Sequence, residues 1–184
     1  MAAGAGSAAF CGGGGGGGGG SALGGELNVA GATGVRAIAA GRWHSLLLYN
    51  DGTVSGAGTY RFSGAATPPA GLNNVVAIAA GQMFSLALQA DGTVTAWGSE
   101  FVQTNETYNG VLTVPAGLGG VTSIAAGYFH ALALRGDGTV TAWGANSYVQ
   151  ASVPSGLANV LAIAGGWENS FAITNQLVAP IRLP

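Results

Sequence analysis

The chain has 184 residues, of which 48 % are hydrophobic and only 7 % charged, against roughly 25 % charged in an average globular domain. Its five positive charges are all arginines and its formal net charge is −2. This excludes the basic footprint of a nucleic-acid binder and the polybasic stretch that anionic lipid attracts.

Residues 1–25 are read as a disordered Gly-rich tail or linker. Gly12 to Gly20 is an unbroken glycine run, which has no apolar surface to bury and would cost much entropy to order. The head has neither a positive n-region nor a hydrophobic h-region, so no signal peptide is expected. Cys11 is the single cysteine, so an intrachain disulfide or a zinc site of several thiolates is ruled out. Apolar runs elsewhere are only a few residues long, too short for a membrane-spanning helix.

From residue 26 onward the chain repeats itself. Ile-Ala-Ala-Gly occurs at 38–41, 78–81 and 124–127, and returns as Ile-Ala-Gly-Gly at 163–166. The leading isoleucines are 40, 46 and 39 residues apart. Asp-Gly-Thr-Val follows at 51–54, 91–94 and 137–140. Thr-Ala-Trp-Gly comes next at 95–98 and 141–144, and is reduced to Ser-Gly-Ala-Gly at 55–58. Pro-Ala-Gly-Leu or Pro-Ser-Gly-Leu closes each unit, at 69–72, 115–118 and 154–157.

Each unit reads as β. Val75 to Ala80 is short and rich in β-branched residues. Ser85 to Gln89 and Ala131 to Arg135 alternate large and small, which puts leucines on one face and alanines on the other. Asp-Gly supplies a tight hairpin, and the strand through Trp97 or Trp143 returns antiparallel. Val111 to Val114 and Ala151 to Val153 are expected as short fourth strands. The predicted fold is all-β, with about four four-stranded antiparallel β-propeller blades. The large face of one blade packs on the small face of the next. The units run over about 35–74, 75–120, 121–159 and 160–184, with 26–34 as a candidate closing strand. Leu177 to Ile181 is a shortened third strand of the last unit. Two closures stay open: a small ring within one chain, or an arc of a larger ring, as a fragment or as half of a homodimer.

The order Val-x-x-Ile-Ala-Ala-Gly, two variable residues, His, Ser/Ala-Leu-x-Leu, Asp-Gly-Thr-Val and Trp-Gly resembles the repeat of the regulator of chromosome condensation family, over roughly residues 27–181. The resemblance implies a propeller, seven-bladed in that family. The family's founder is an exchange factor for the small GTPase Ran and binds nucleosomes, but the loops on which exchange depends are not found here. The compact repeat looks closer to bacterial versions such as a secreted propeller-type β-lactamase inhibitor. That likeness implies a binding face built from blade loops with aromatic anchors.

The candidate partner-binding residues are the variable pairs after each Ala-Gly: Arg42 and Trp43, Gln82 and Met83, Tyr128 and Phe129, Trp167 and Glu168. These are the positions where the units differ most. Aromatic and arginine side chains bury much area at little entropic cost. Phe101 and Tyr108 join them from the one insertion, Ser99 to Gly110, which also carries an Asn105-Glu106-Thr107 sequon. Counterparts of that insertion carry Tyr60, Arg61, Phe62 and Tyr148.

His44 and His130 share one repeat position with Phe84 and Asn169, which argues for structural histidines over metal ligands or general bases. Asp51, Asp91 and Asp137 read as turn residues, not calcium ligands, and Trp97 and Trp143 as blade-packing residues. No catalytic residue, metal or cofactor is expected. The function expected is a non-catalytic scaffold for a protein partner, with no nucleic acid, no membrane span, and a homodimer as one way to close the ring. A structural module of a larger bacterial extracellular or surface protein is the alternative. Exchange-factor or inhibitor activity follows only by family analogy.

Overall fold

The computed structural model describes residues 33–58, 64–99 and 110–175. Among them all regular structure is β. β1 (Val35–Ala40), β2 (His44–Tyr49) and β3 (Val54–Gly58) form one antiparallel sheet. β4 (Val75–Ala80), β5 (Phe84–Gln89) and β6 (Val94–Gly98) form a second. β7 (Val121–Ala126), β8 (His130–Arg135) and β9 (Val140–Gly144) form a third, and β10 (Val160–Gly165) pairs with β11 (Ser170–Thr174).

The recurring Ile-Ala phrase is thus the first strand of every sheet. Each such strand carries a register shift after its first residue. The bulge turns the second residue outward, so Arg36, Val76, Thr122 and Leu161 are all exposed. Arg36 uses this position to bind the bulge of the next sheet, donating from Nη2 to the carbonyls of Val75 (3.2 Å) and Val76 (2.8 Å).

The Asp-Gly hairpins close as expected. Gly52, Gly92 and Gly138 take φ near +80° (80°, 83° and 80°), a region open to glycine at no steric cost. The Asp51 carboxylate accepts from Thr53 N at 2.9 Å and Thr53 Oγ1 at 2.7 Å. Asp91 with Thr93, and Asp137 with Thr139, repeat the pattern. These hydrogen bonds, the threonine hydroxyl first, hold all three carboxyls below the usual aspartate range. The aspartates therefore serve the turn that aims the returning strand.

Period-two alternation then builds the core. Leu46 and Leu48 of the first sheet pack against Val75, Ile78, Ala80, Ala87 and Trp97 of the second. Phe84, Leu86 and Leu88 of the second pack against Val121, Ile124, Ala126, Ala131, Ala133 and Trp143 of the third. Large face meets small face at each junction. A fully buried leucine contributes roughly 1.5–3 kcal/mol by leaving water, and neither sheet could bury its leucines alone. At the outer faces of the described arc the same repeat positions are open. Ile38 is 66 % exposed where Ile78 is 8 % and Ile124 is 4 %. Phe171 and Ile173 are 61 % and 64 % exposed where Leu132 and Leu134 are 3 % and 6 %.

One expectation is corrected. Residues 111–114 and 151–153 are turns and coil, so the described sheets have three strands or two, not four. Their polar groups are already committed locally and to the next blade. Thr113 N donates to Gly110 O at 2.9 Å, and the Val111 carbonyl accepts from Trp143 Nε1 at 2.9 Å. Asn146 Oδ1 takes Ala151 N at 2.9 Å. Pro115 and Pro154 follow directly and carry no N–H for a ladder. The Gly-rich head, most of the closing strand at 26–34, and Leu177 to Ile181 lie outside the described residues.

Candidate functional site

The loops joining the first two strands of each sheet lie side by side along one edge of the arc. Each is a tight turn closed by its glycine: Gly41, Gly81, Gly127 and Gly166 N–H donate to the carbonyls of His44, Phe84, His130 and Asn169 at 2.8–2.9 Å. Only glycine fits, because a Cβ at Gly81 or Gly127 would collide with the ring of Phe84 or His130. Neighbouring loops are then tied by their main chains. Arg42 N donates to Gly81 O (3.2 Å), Gln82 N to Tyr128 O (3.0 Å) and Tyr128 N to Gly166 O (3.0 Å). The backbone beneath the variable pairs is therefore a fixed row.

On that row the side chains sort into two groups. Tyr128 stacks on Trp167, with centroids 4.5 Å apart and planes 17° apart. Phe129 meets Tyr128 edge-on at 4.6 Å and 82°. The Arg42 guanidinium lies 4.8 Å from the Trp43 ring centre and 5.4 Å from that of Tyr128, both cation–π contacts. Trp43 and Trp167 keep 40 % and 56 % exposure, and Arg42 and Glu168 are exposed. Gln82 and Met83, in contrast, are buried. Arg42 reaches from the first loop to the third, above the row position that Gln82 occupies. Phe101, Tyr108, Tyr60, Arg61 and Phe62 lie outside the described residues.

The two histidines lie below the row, inside the junctions. His44 is buried, its Nε2 2.8 Å from Ser85 Oγ of the next sheet. Ser85 in turn donates to the Ala65 carbonyl at 2.8 Å, and Trp97 Nε1 reaches the same carbonyl at 2.9 Å. His130, Ser170 and the Gln150 carbonyl repeat the relay at 2.9 and 2.7 Å. The one hydroxyl proton of each serine goes to a carbonyl, so the serine accepts from the imidazole. That fixes the proton on Nε2 and leaves Nδ1 as a buried atom with no hydrogen-bond partner. Burial accordingly pushes both histidines down to about 4, with the Asn169 backbone working against it at His130. A neutral imidazole with a buried lone pair and no carboxylate beside it holds blades together.

The structure adds residues that the motif search passed over. Ser85, Ser170 and the carbonyls of Ala65, Val111 and Gln150 form the seams, and Arg36 clamps the second sheet. Among the described residues no group of three or more His, Cys, Asp or Glu could hold a metal ion. Among the described residues no helix is long and apolar enough to cross a membrane.

Comparison with known proteins agrees with this architecture. Residues 121–150, which hold the third sheet, match the family model of the regulator of chromosome condensation (RCC1) repeat. No curated protein matches the sequence. The ectodomain of the receptor kinase CR4 from Physcomitrella patens is 27 % identical, covers 72 % of this chain and has a TM-score of 0.58. Prp20p from Saccharomyces cerevisiae, 24 % identical over 77 % of the chain, superimposes with a TM-score of 0.62. The CRINKLY WD40 ectodomain of the Arabidopsis thaliana receptor kinase ACR4, at 18 % identity and 77 % coverage, gives 0.62 as well. The chain spans 36 %, 42 % and 47 % of these three solved chains, respectively. The third sheet thus matches an RCC1 repeat, and the likeness to these structures shows the fold to be that of a β-propeller.

Proposed function

We propose that the chain is a non-catalytic protein-binding scaffold that docks its partner on the row of first-hairpin loops. One observation carries this reading: strands and turns repeat almost unchanged, while the tethered row beneath holds Arg42, Trp43, Tyr128, Phe129 and Trp167 in mutual contact. A rigid aromatic and arginine cluster loses little freedom on binding, which is what interface hot spots require. The solved relative Prp20p is described by its binding to Gsp1p and to histones, which supports a protein as the partner class. The low charge and absence of lysine weigh against nucleic acid. Affinity capture with the wild type and with a Trp43→Ala/Tyr128→Ala/Trp167→Ala variant of equal thermal stability tests the reading. Partners recovered equally by both would reject it.

A second reading concerns the ends of the described arc, where Ile38, Phe171 and Ile173 are exposed at positions buried within it. A second copy seated there would shield these faces and close a ring as a homodimer. Sedimentation of the wild type should then show a dimer that Ile38→Glu converts to monomer. A monomeric wild type at tens of micromolar would end this reading.

A further inference from the structure

Resting on the proposed binding row, we propose that the partner segment presents a carboxylate to Arg42 and lays apolar side chains along Tyr128 and Trp167. Arg42 is an unusual surface arginine in how its contacts are divided. Its guanidinium carbon sits over two rings, at 4.8 and 5.4 Å. Among the described residues none sets a carboxylate against it or accepts a hydrogen bond from its side chain. Cation–π contacts engage the flat faces of a guanidinium and leave its N–H donors directed outward in the plane. Those donors form the fork that matches a carboxylate in bidentate fashion. The rings hold the side chain in place before any partner arrives, so ordering it costs little at the moment of binding.

The remaining charges on the row narrow the class further. Glu168 stands exposed beside Trp167, at the other end of the stack. The row therefore runs from a cation, through stacked rings, to an anion. A segment acidic throughout would meet Glu168 with like charge. One with an acidic residue at one end and apolar residues beyond it is favoured in a single direction. A doubly charged phosphate would call for more than one cation, and the row's other variable positions supply none.

The test is selection of a random dodecapeptide phage library on the full chain, followed by anisotropy titration of synthetic peptides made from the enriched sequences. Enrichment of Asp or Glu at one end of an apolar or aromatic stretch is expected. Affinity should fall at least about tenfold with Arg42→Gln and by less with Arg42→Lys, which keeps charge but loses the plane. Glu168→Gln should improve binding of uniformly acidic peptides. Peptides that bind Arg42→Gln as tightly as wild type, yet are lost on the triple aromatic variant, would overturn the carboxylate assignment and leave the binding row standing. Peptides that bind the triple variant undiminished would overturn the row itself. A library that yields no row-dependent binder overturns the carboxylate assignment.

Discussion

The junction between the first and second sheets is polar at its loop end, and the next junction, made from the same strands, is apolar. At the first, His44 meets Ser85, and Ser85 and Trp97 share the Ala65 carbonyl. At the second, Phe84 stands in the histidine's place and Ala131 in the serine's, and among the described residues the Val111 carbonyl is reached by Trp143 alone. The third junction returns to the polar form with His130 and Ser170. The same glycine turn accepts either ring, so the backbone does not choose between them. What differs is polar satisfaction. A histidine here requires a hydroxyl on the following blade, and a phenylalanine requires that none be stranded there.

The largest expected effect breaks this comparison with acid. Both histidines sit near 4 in the folded chain, against an ordinary value of 6.5. Between those values the unfolded chain binds more protons, so stability is complete above pH 6.5 and drains away as pH falls toward 4. A shift of this size is worth on the order of 3 kcal/mol per histidine. Urea unfolding at pH 7.5 and pH 4.5 should show most of the loss in the wild type. A variant with both polar junctions converted to the apolar form (His44→Phe/Ser85→Ala/His130→Phe/Ser170→Ala) should lose much less. Equal pH dependence in the two would refute the assignment.

Next comes a mismatch made on purpose. Phe84→His places an imidazole opposite Ala131, with no hydroxyl to receive its N–H, at a site where Phe84 is 1 % exposed. A stranded buried donor costs about 1–3 kcal/mol, added to the lost ring packing. Adding Ala131→Ser should restore part of that stability, and thermal melts of the single and double variants measure it. If the serine gives no rescue, the pairing rule is wrong.

Much of this was legible in the sequence. The repeat spacing, the leucine–alanine alternation and the Asp-Gly turns lead directly to the sheets and to the way they nest, because each depends on residues close in the chain. The structural role of His44 and His130 also followed, from Phe84 holding the same position. The fourth strands did not follow. Val111 to Val114 reads as β by composition, but the Val111 carbonyl answers to a tryptophan of the next blade, a contact between residues 32 apart. The seam was written in the sequence as well: the residue after that repeat position reads Ser85, Ala131 and Ser170 in the second, third and fourth units, in step with His44, Phe84 and His130 one blade earlier. It is visible only once the blades are known to stack in chain order. For the proposed binding row, the variable pairs were found from their divergence. That Gln82 and Met83 turn inward while Arg42 reaches over to Tyr128 depends on how neighbouring loops are tied, which no single repeat records.

The smallest effect sharpens the comparison most. Trp97 and Trp143 are each 7 % exposed and make the same 2.9 Å bond to a carbonyl of the preceding blade. Replacing either by Phe removes the indole N–H and similar packing area. At Trp97 the Ala65 carbonyl keeps its bond from Ser85. At Trp143 the Val111 carbonyl has no described substitute, since Ala131 carries no hydroxyl. Trp143→Phe should therefore cost more than Trp97→Phe by roughly 1 kcal/mol, the ordinary penalty for an unsatisfied buried acceptor. In an Ala131→Ser background, where a hydroxyl can take over as at Ser85, that gap should close. Urea midpoints of the four variants at pH 7.5 decide it. A gap that persists in the serine background would mean the two junctions differ in packing and not in how their carbonyls are satisfied.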